Sequence, residues 1–213
     1  MKLLSLCKRL SMTTVLALAM TCVLAPAAQA AKLKKQNLTQ LIANSRSIVA
    51  GTVVRVIDGI DGKGVPYTEV TIDVGSVAKG DVKSGEYTFR QFGLLKPRMM
   101  ANGHRLMAVT PEGFPTWRES EFVVAFLYHP AAQTGLQTTA GMAQGKLVLS
   151  GDNRLSNAFG NIGLFDGVVL PEGQLTAEEN AMFKGNGAVD ANVFMNLVGR
   201  VVKGRWIENG VMK

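Results

Sequence analysis

Across residues 67–74 the chain alternates without a break: Thr68, Val70, Ile72 and Val74 fall on one side, and Tyr67, Glu69, Thr71 and Asp73 on the other. A period of two fits a strand with one buried face, and laying it on a helix would scatter the apolar set. The same signal recurs around it. Residues 47–57 are rich in Val and Ile, and residues 86–92 place Tyr87 and Phe89 on one face. Residues 105–110 form a weaker run. Residues 121–128 are apolar on both faces through Phe122, Val123, Val124, Ala125, Phe126 and Leu127, which predicts the most deeply buried strand. Residues 142–149, around Gln144-Gly145, predict one or two more. Asp58-Gly59, Asp61-Gly62 and Lys79-Gly80-Asp81 separate the runs as turns. The fold class expected is mainly β with an α appendage: five or six short strands with glycine-rich turns, closed or nearly closed into a small barrel over residues 47–165.

Helical signals flank this region. Asn37-Leu38-Thr39-Gln40 has a capping residue and a glutamine three positions later, which predicts a short N-terminal helix over 37–46 with Leu38, Leu41 and Ile42 as its apolar face. Thr176-Ala177-Glu178-Glu179 is a second capping box. Asp190 caps a third helix, in which Val193, Phe194, Leu197, Val198, Val201 and Val202 recur at helical spacing until Gly204. Residues 174–204 are therefore expected as a helical appendage packed on the barrel.

The N-terminus has the three parts of an export signal. Lys2, Lys8 and Arg9 supply the charge, residues 15–25 an apolar run, and Ala28-Gln29-Ala30 a small-residue cleavage site after Ala30. The apolar run is about half the 20 or so residues that span a bilayer. Cys22 lacks the small residues that precede a lipoprotein cysteine, and Lys8-Arg9 is not an arginine pair. The expectation is residues 1–30 as a Sec-type signal and 31–213 as a single domain, periplasmic or secreted, with no transmembrane helix once the signal is removed.

Cleavage changes the composition that matters. Both cysteines, Cys7 and Cys22, fall within 1–30, so residues 31–213 can form no disulfide and offer no thiolate. The segment holds three of the 23 basic residues and none of the 16 acidic ones, leaving 20 against 16, a net +4. That mild excess, outside the cytoplasm, argues against nucleic acid. Lys32, Lys34 and Lys35 read as a solvated tail at the new N-terminus.

The string LIANSRSIVAGTVVRV, followed by YTEVTIDVGSVAKGDV, GEYTFRQFG and the later EFVVAFLY, resembles a group of small exported bacterial proteins of uncharacterised function. The resemblance covers about residues 41–130 and rests on strand pattern and glycine placement. It implies a five-stranded OB-type barrel similar in outline to the netrin-like and metalloproteinase-inhibitor barrels. Inhibitors of that animal type reach the protease metal through an N-terminal cysteine. Residues 31–213 have none, so that mechanism does not transfer.

Motif by motif, catalytic chemistry is thin. His104 and His129 lack a second ligand at metal spacing. Residues 58–64, Asp-Gly-Ile-Asp-Gly-Lys-Gly, lack the acid spacing of a calcium loop. Residues 141–146 end in Gly145-Lys146 but have Ala140 and Leu147 where a phosphate loop needs glycine and a hydroxyl residue. Ser76 has no nucleophile elbow. No cofactor is expected. The candidate binding residues are Trp117 and Arg118 in Gly113-Phe114-Pro115-Thr116-Trp117-Arg118, and Phe159 and Phe165 in the asparagine- and glycine-rich segment 151–165. The function expected is an exported, non-enzymatic binding module for a protein or envelope component. The alternatives are an accessory subunit of an envelope or secretion assembly, and a small hydrolase whose site is dispersed in sequence.

Overall fold

Asn37 caps the first helix, α1 (Leu38–Asn44), as its spacing requires: Asn37 Oδ1 accepts from Gln40 N and Gln40 Oε1 accepts from Asn37 N, both at 3.0 Å. The computed structural model describes residues 34–100 and 102–213; the expected signal 1–30 and its cleavage site at Ala30 lie outside them. Lys34–Lys213 forms one compact unit. Leu38, Leu41 and Ile42 are buried, and Leu38 N donates to Leu164 O at 2.7 Å, which fastens the helix to the distant segment 157–168.

Among the described residues nine strands follow: β1 (Ser47–Ile60), β2 (Pro66–Lys79), β3 (Gly85–Phe92), β4 (Arg98–Met99), β5 (Arg105–Leu106), β6 (Phe122–Leu127), β7 (Lys146–Leu149), β8 (Arg154–Ser156) and β9 (Val189–Asp190). Seven form one antiparallel sheet in the order β3-β2-β1-β6-β7-β8-β9, and β4 and β5 pair as a separate ribbon. The alternation in β2 is realised, with Thr68, Val70, Ile72 and Val74 all buried. Gly51 is required where β1 and β2 bulge. A Cβ there would stand 2.1 Å from Asp73 O, so no side chain fits without moving backbone.

Both faces of the sheet are covered. Val49, Val53, Ile72, Phe89, Val123 and Ala125 share one core with Trp117. Ile48, Val124, Phe126 and Leu147 share the other with the helices. β6 contributes alternate residues to each core, which is why its sequence is apolar on both faces. Helix α2 (Ala177–Lys184) begins with the expected Thr176–Glu179 box. Helix α3 (Ala191–Lys203) is capped by Asp190, whose Oδ1 accepts from Asn192 N and Val193 N. Phe194, Leu197, Val198 and Val201 on its inner face are buried, and the Phe194 ring meets Phe126 edge-on at 6.3 Å.

The fold is mainly β with helical appendages, as expected, but the sheet is not a closed barrel. Among the described residues β3 and β9 are its ends and do not pair, so the ladder is open and has seven strands rather than five or six. The segment that follows β6 carries Pro130, Gly135 and Gly141, residues that break ladders. It makes one bridge to β6, at Leu127–Thr139, and one backbone bond to β3, from Gln137 N to Arg90 O at 2.7 Å. Residues 142–145, expected as strand, form a 3₁₀ turn (Met142–Gly145) because Gly141 enters it with φ +64°. Residues 105–110 supply only the short β5. Arg154–Ser156 and Val189–Asp190 were not expected as strands; the second lies between α2 and α3, so residues 174–204 also extend the sheet.

Candidate functional site

Two chain segments singled out by sequence, residues 113–118 and 151–165, meet at one cleft. Its volume is about 420 Å³. Phe114, Pro115, Thr116 and Arg118 form one wall, and Ser156, Asn157 and Ala158 form another. The start of β7 and the residue before β6, Lys146 and Glu121, join them.

The first wall is held by a buried glutamine on β3. Gln91 Nε2 donates to Pro115 O at 3.0 Å, and its Oε1 accepts from Trp117 Nε1 and Thr138 Oγ1, each at 3.2 Å. Trp117 is thereby turned inward, 5% exposed, with its ring edge-on to Phe89 at 5.3 Å. Trp117, a candidate binding residue in the sequence, is therefore packed in the core: its indole N–H needs a partner, and the buried Gln91 supplies one. Arg118, one residue on, is exposed at the cleft.

The second wall is held by paired asparagines. Asn157 Oδ1 accepts from Phe159 N and Asn161 N, while Asn161 Oδ1 accepts from Asn157 N at 2.9 Å. Asn161 Nδ2 also donates to Leu155 O and Gly187 O. Asn161 adopts φ +60°, which asparagine tolerates better than most residues. Phe159 is 42% exposed and is not among the residues lining the cleft. Phe165 is half-buried and stacks on Phe183 at 4.5 Å, so it packs the helices rather than projecting from them.

Lys146 is the group that sequence reading discounted. It opens β7 opposite Ala125, and its side chain is only 7% exposed. Nζ donates to Thr116 O at 2.6 Å and to Glu121 Oε2 at 2.5 Å, and it stands 4.9 Å from the Trp117 ring centroid. Burial pushes the Lys146 ammonium below its ordinary range, the Glu121 carboxylate opposes that, and the Arg118 charge adds to it. Two cations thus share a field with one carboxylate, beside the apolar surface of Phe114, Val148 and Ala158. The signal available in the sequence was a lysine heading one apolar strand and a glutamate heading another.

The remaining candidates stand elsewhere. His104 lies exposed in the β4–β5 turn, and His129 is exposed just after β6. Among the described residues no group of three or more His, Cys, Asp and Glu side chains is placed to hold a metal ion. Residues 61–64 form a β-turn, and Asp61 Oδ1 accepts from Lys63 N and Val65 N, both at 2.8 Å; the Val65 bond is the main cause that holds its carboxyl below the usual range. No helix among the described residues is long and apolar enough to cross a membrane. Comparison with protein-family models, with curated proteins and with solved structures finds no match to the chain.

Proposed function

We propose that this protein is a non-enzymatic binding module and that the cleft receives an acidic side chain of a partner polypeptide. The observation that carries the reading is the exposed Arg118 guanidinium at a cleft whose wall already holds a buried ammonium. An entering carboxylate meets Arg118 as a planar, two-point donor. The Lys146–Glu121 pair fixes Thr116, and Gln91 fixes Pro115 and Trp117, so the wall behind Arg118 is ordered before a ligand arrives. The export pattern of residues 1–30 supports a periplasmic or secreted setting with an envelope or secreted protein as partner.

We infer further that strands β3, β2, β1 and β6 with residues 137–139 make an OB-type barrel with one incomplete seam. The Gln137 N to Arg90 O bond supports it, as does the Gln137 side chain, which joins Tyr87 OH (2.8 Å) on β3 to Tyr128 O (2.7 Å) after β6.

Titration of isotope-labelled protein with short peptides containing aspartate or glutamate tests the function. The expected result is saturable movement of amide resonances from residues 114–118 and 156–158, abolished in Arg118→Glu at unchanged thermal stability. Equal binding by Arg118→Glu, or perturbation confined to other surfaces, would refute it.

A further inference from the structure

The ribbon β4–β5 brings exposed apolar side chains close together. Met99 and Met107 are each 66% exposed, and Leu95 and Val109 beside them are also exposed. Arg98 pairs with Leu106 and Met99 with Arg105 across the ribbon, so Met99 and Arg105 share one face and Arg98 and Leu106 the other. The Arg98 face is committed. The Asp58 carboxylate of β1 accepts from Leu95 N (2.7 Å), Lys96 N (2.8 Å) and the Arg98 guanidinium, which clamps the base of the ribbon to the sheet. The opposite face has no partner among the described residues.

Every charged side chain between Leu94 and Thr110 is basic: Lys96, Arg98 and Arg105. Asp58 neutralises only Arg98. Lys63, in the turn near Met100, is a further exposed cation, and the acid in that turn, Asp61, is occupied by backbone N–H groups. Exposed apolar side chains grouped with cations of one sign mark an interaction surface rather than scattered surface hydrophobics. The ribbon has two strands of two residues each, so it makes no groove in which to seat a peptide. Flexible methionines flanked by Lys and Arg match the boundary of an anionic bilayer, where thioethers enter the acyl edge and cations stay at the headgroups.

We infer that the β4–β5 ribbon docks the protein onto anionic lipid surfaces, with Met99 and Met107 inserting and Lys96 and Arg105 at the headgroup level. Asp58 holds the ribbon in place for this. The surface is separate from the Arg118 cleft, and the inference does not depend on what that cleft binds.

The test uses the chain from Ala31, because Lys34–Lys213 is a compact unit and the apolar segment 15–25 would partition independently. Co-sedimentation compares vesicles of phosphatidylcholine plus phosphatidylglycerol with vesicles of phosphatidylcholine alone. Binding is expected only to the mixed vesicles. Met99→Ser with Met107→Ser, and separately Lys96→Glu with Arg105→Glu, are each expected to weaken it by about tenfold or more, a difference of about 1.4 kcal/mol. These positions are exposed, so melting temperature should hold. Ile162→Ser removes an apolar residue that is 68% exposed elsewhere and should bind as the parent does. Met107→Trp should show blue-shifted emission on the mixed vesicles. Absence of binding overturns the inference. Equal binding to both vesicle types does so as well. So does binding indifferent to the two methionines, which would assign it to Lys32, Lys34 and Lys35 or to general basicity, and so does an equal loss in Ile162→Ser.

Discussion

Removing Glu121 from its pair with Lys146 should cost more than removing Lys146. Lys146 is 7% exposed and Glu121 21%, so Glu121→Leu strands the deeper charge, whereas Lys146→Met leaves a carboxylate that can turn to water. Breaking a buried pair from one side costs about 3–5 kcal/mol, and replacing both members with apolar groups is often close to neutral. We therefore expect about 3 kcal/mol for Glu121→Leu, about 1–2 kcal/mol for Lys146→Met, and less than about 1 kcal/mol for the double variant. For a chain of this size the first corresponds to a fall in Tm of about 6–12 °C.

The pH dependence has a definite sign. Burial holds the folded-state pKa of Lys146 below the ordinary 10.5. Between the two values the unfolded chain binds the extra proton, so stability from this site rises with pH through that window. Loss of Glu121 removes the contact that opposes the shift and widens the window downward. Urea melts of the four proteins across neutral to alkaline pH, read as differences from the parent, check both claims. If the two single costs add to that of the double variant within about 0.5 kcal/mol, the pair is not coupled and the argument fails. A Glu121→Leu deficit that does not shrink as pH rises would also refute it.

The Asp58 clamp is expected to loosen in acid. Burial raises the Asp58 carboxyl, but the Arg98 contact and the Lys96 and Leu95 N–H groups together hold it below its ordinary 3.8, so docking of the ribbon is complete above that pH and is lost as pH falls through the lowered folded value. Hydrogen exchange at Leu95 and Lys96 should accelerate there, and in Asp58→Asn already at neutral pH; unchanged exchange would contradict the clamp. Gly51→Ala should destabilise by about 3 kcal/mol in denaturant melts, since the new methyl meets Asp73 O across a bulge that cannot widen freely. Leu197→Asp should prevent cooperative folding, because the fully buried inner face of α3 offers the carboxylate no partner; near-parent stability would mean that face is not core.

Much of the fold was legible because the chain states it locally. The capping boxes at Asn37 and Thr176 need only four residues each, and the β2 alternation needs eight. β6 was legible through its lack of alternation, since a strand between two cores shows no polar face. What was not legible depends on partners far along the chain. Arg154–Ser156 is a strand because β7 and β9 flank it, and its own residues carry no strand signal. The open sheet has the same origin. Residues 137–139 reach both β3 and β6, yet Gly135 and Gly141 limit the extended stretch, and side chains such as Gln137 make bonds that a ladder would otherwise supply.

The same physics separates what could and could not be foreseen at the cleft. Arg118 was legible as a cation next to Trp117 in a segment that contains Gly113 and Pro115, but the orientation of Trp117 was not. An indole faces inward or outward according to whether a buried acceptor exists, and Gln91 stands on a strand 26 positions away. Lys146 was dismissed as the end of an imperfect phosphate loop, because a lysine's role depends on whether its ammonium reaches solvent. Here Thr116 O and Glu121 Oε2 accept hydrogen bonds from it, and the ammonium becomes a brace for the wall that carries Arg118. One cation is buried and paired while its neighbour is exposed, and on the reading proposed above the two would behave differently: an incoming carboxylate can compete for a solvated guanidinium at modest desolvation cost, but not for an ammonium whose carboxylate partner is already in place.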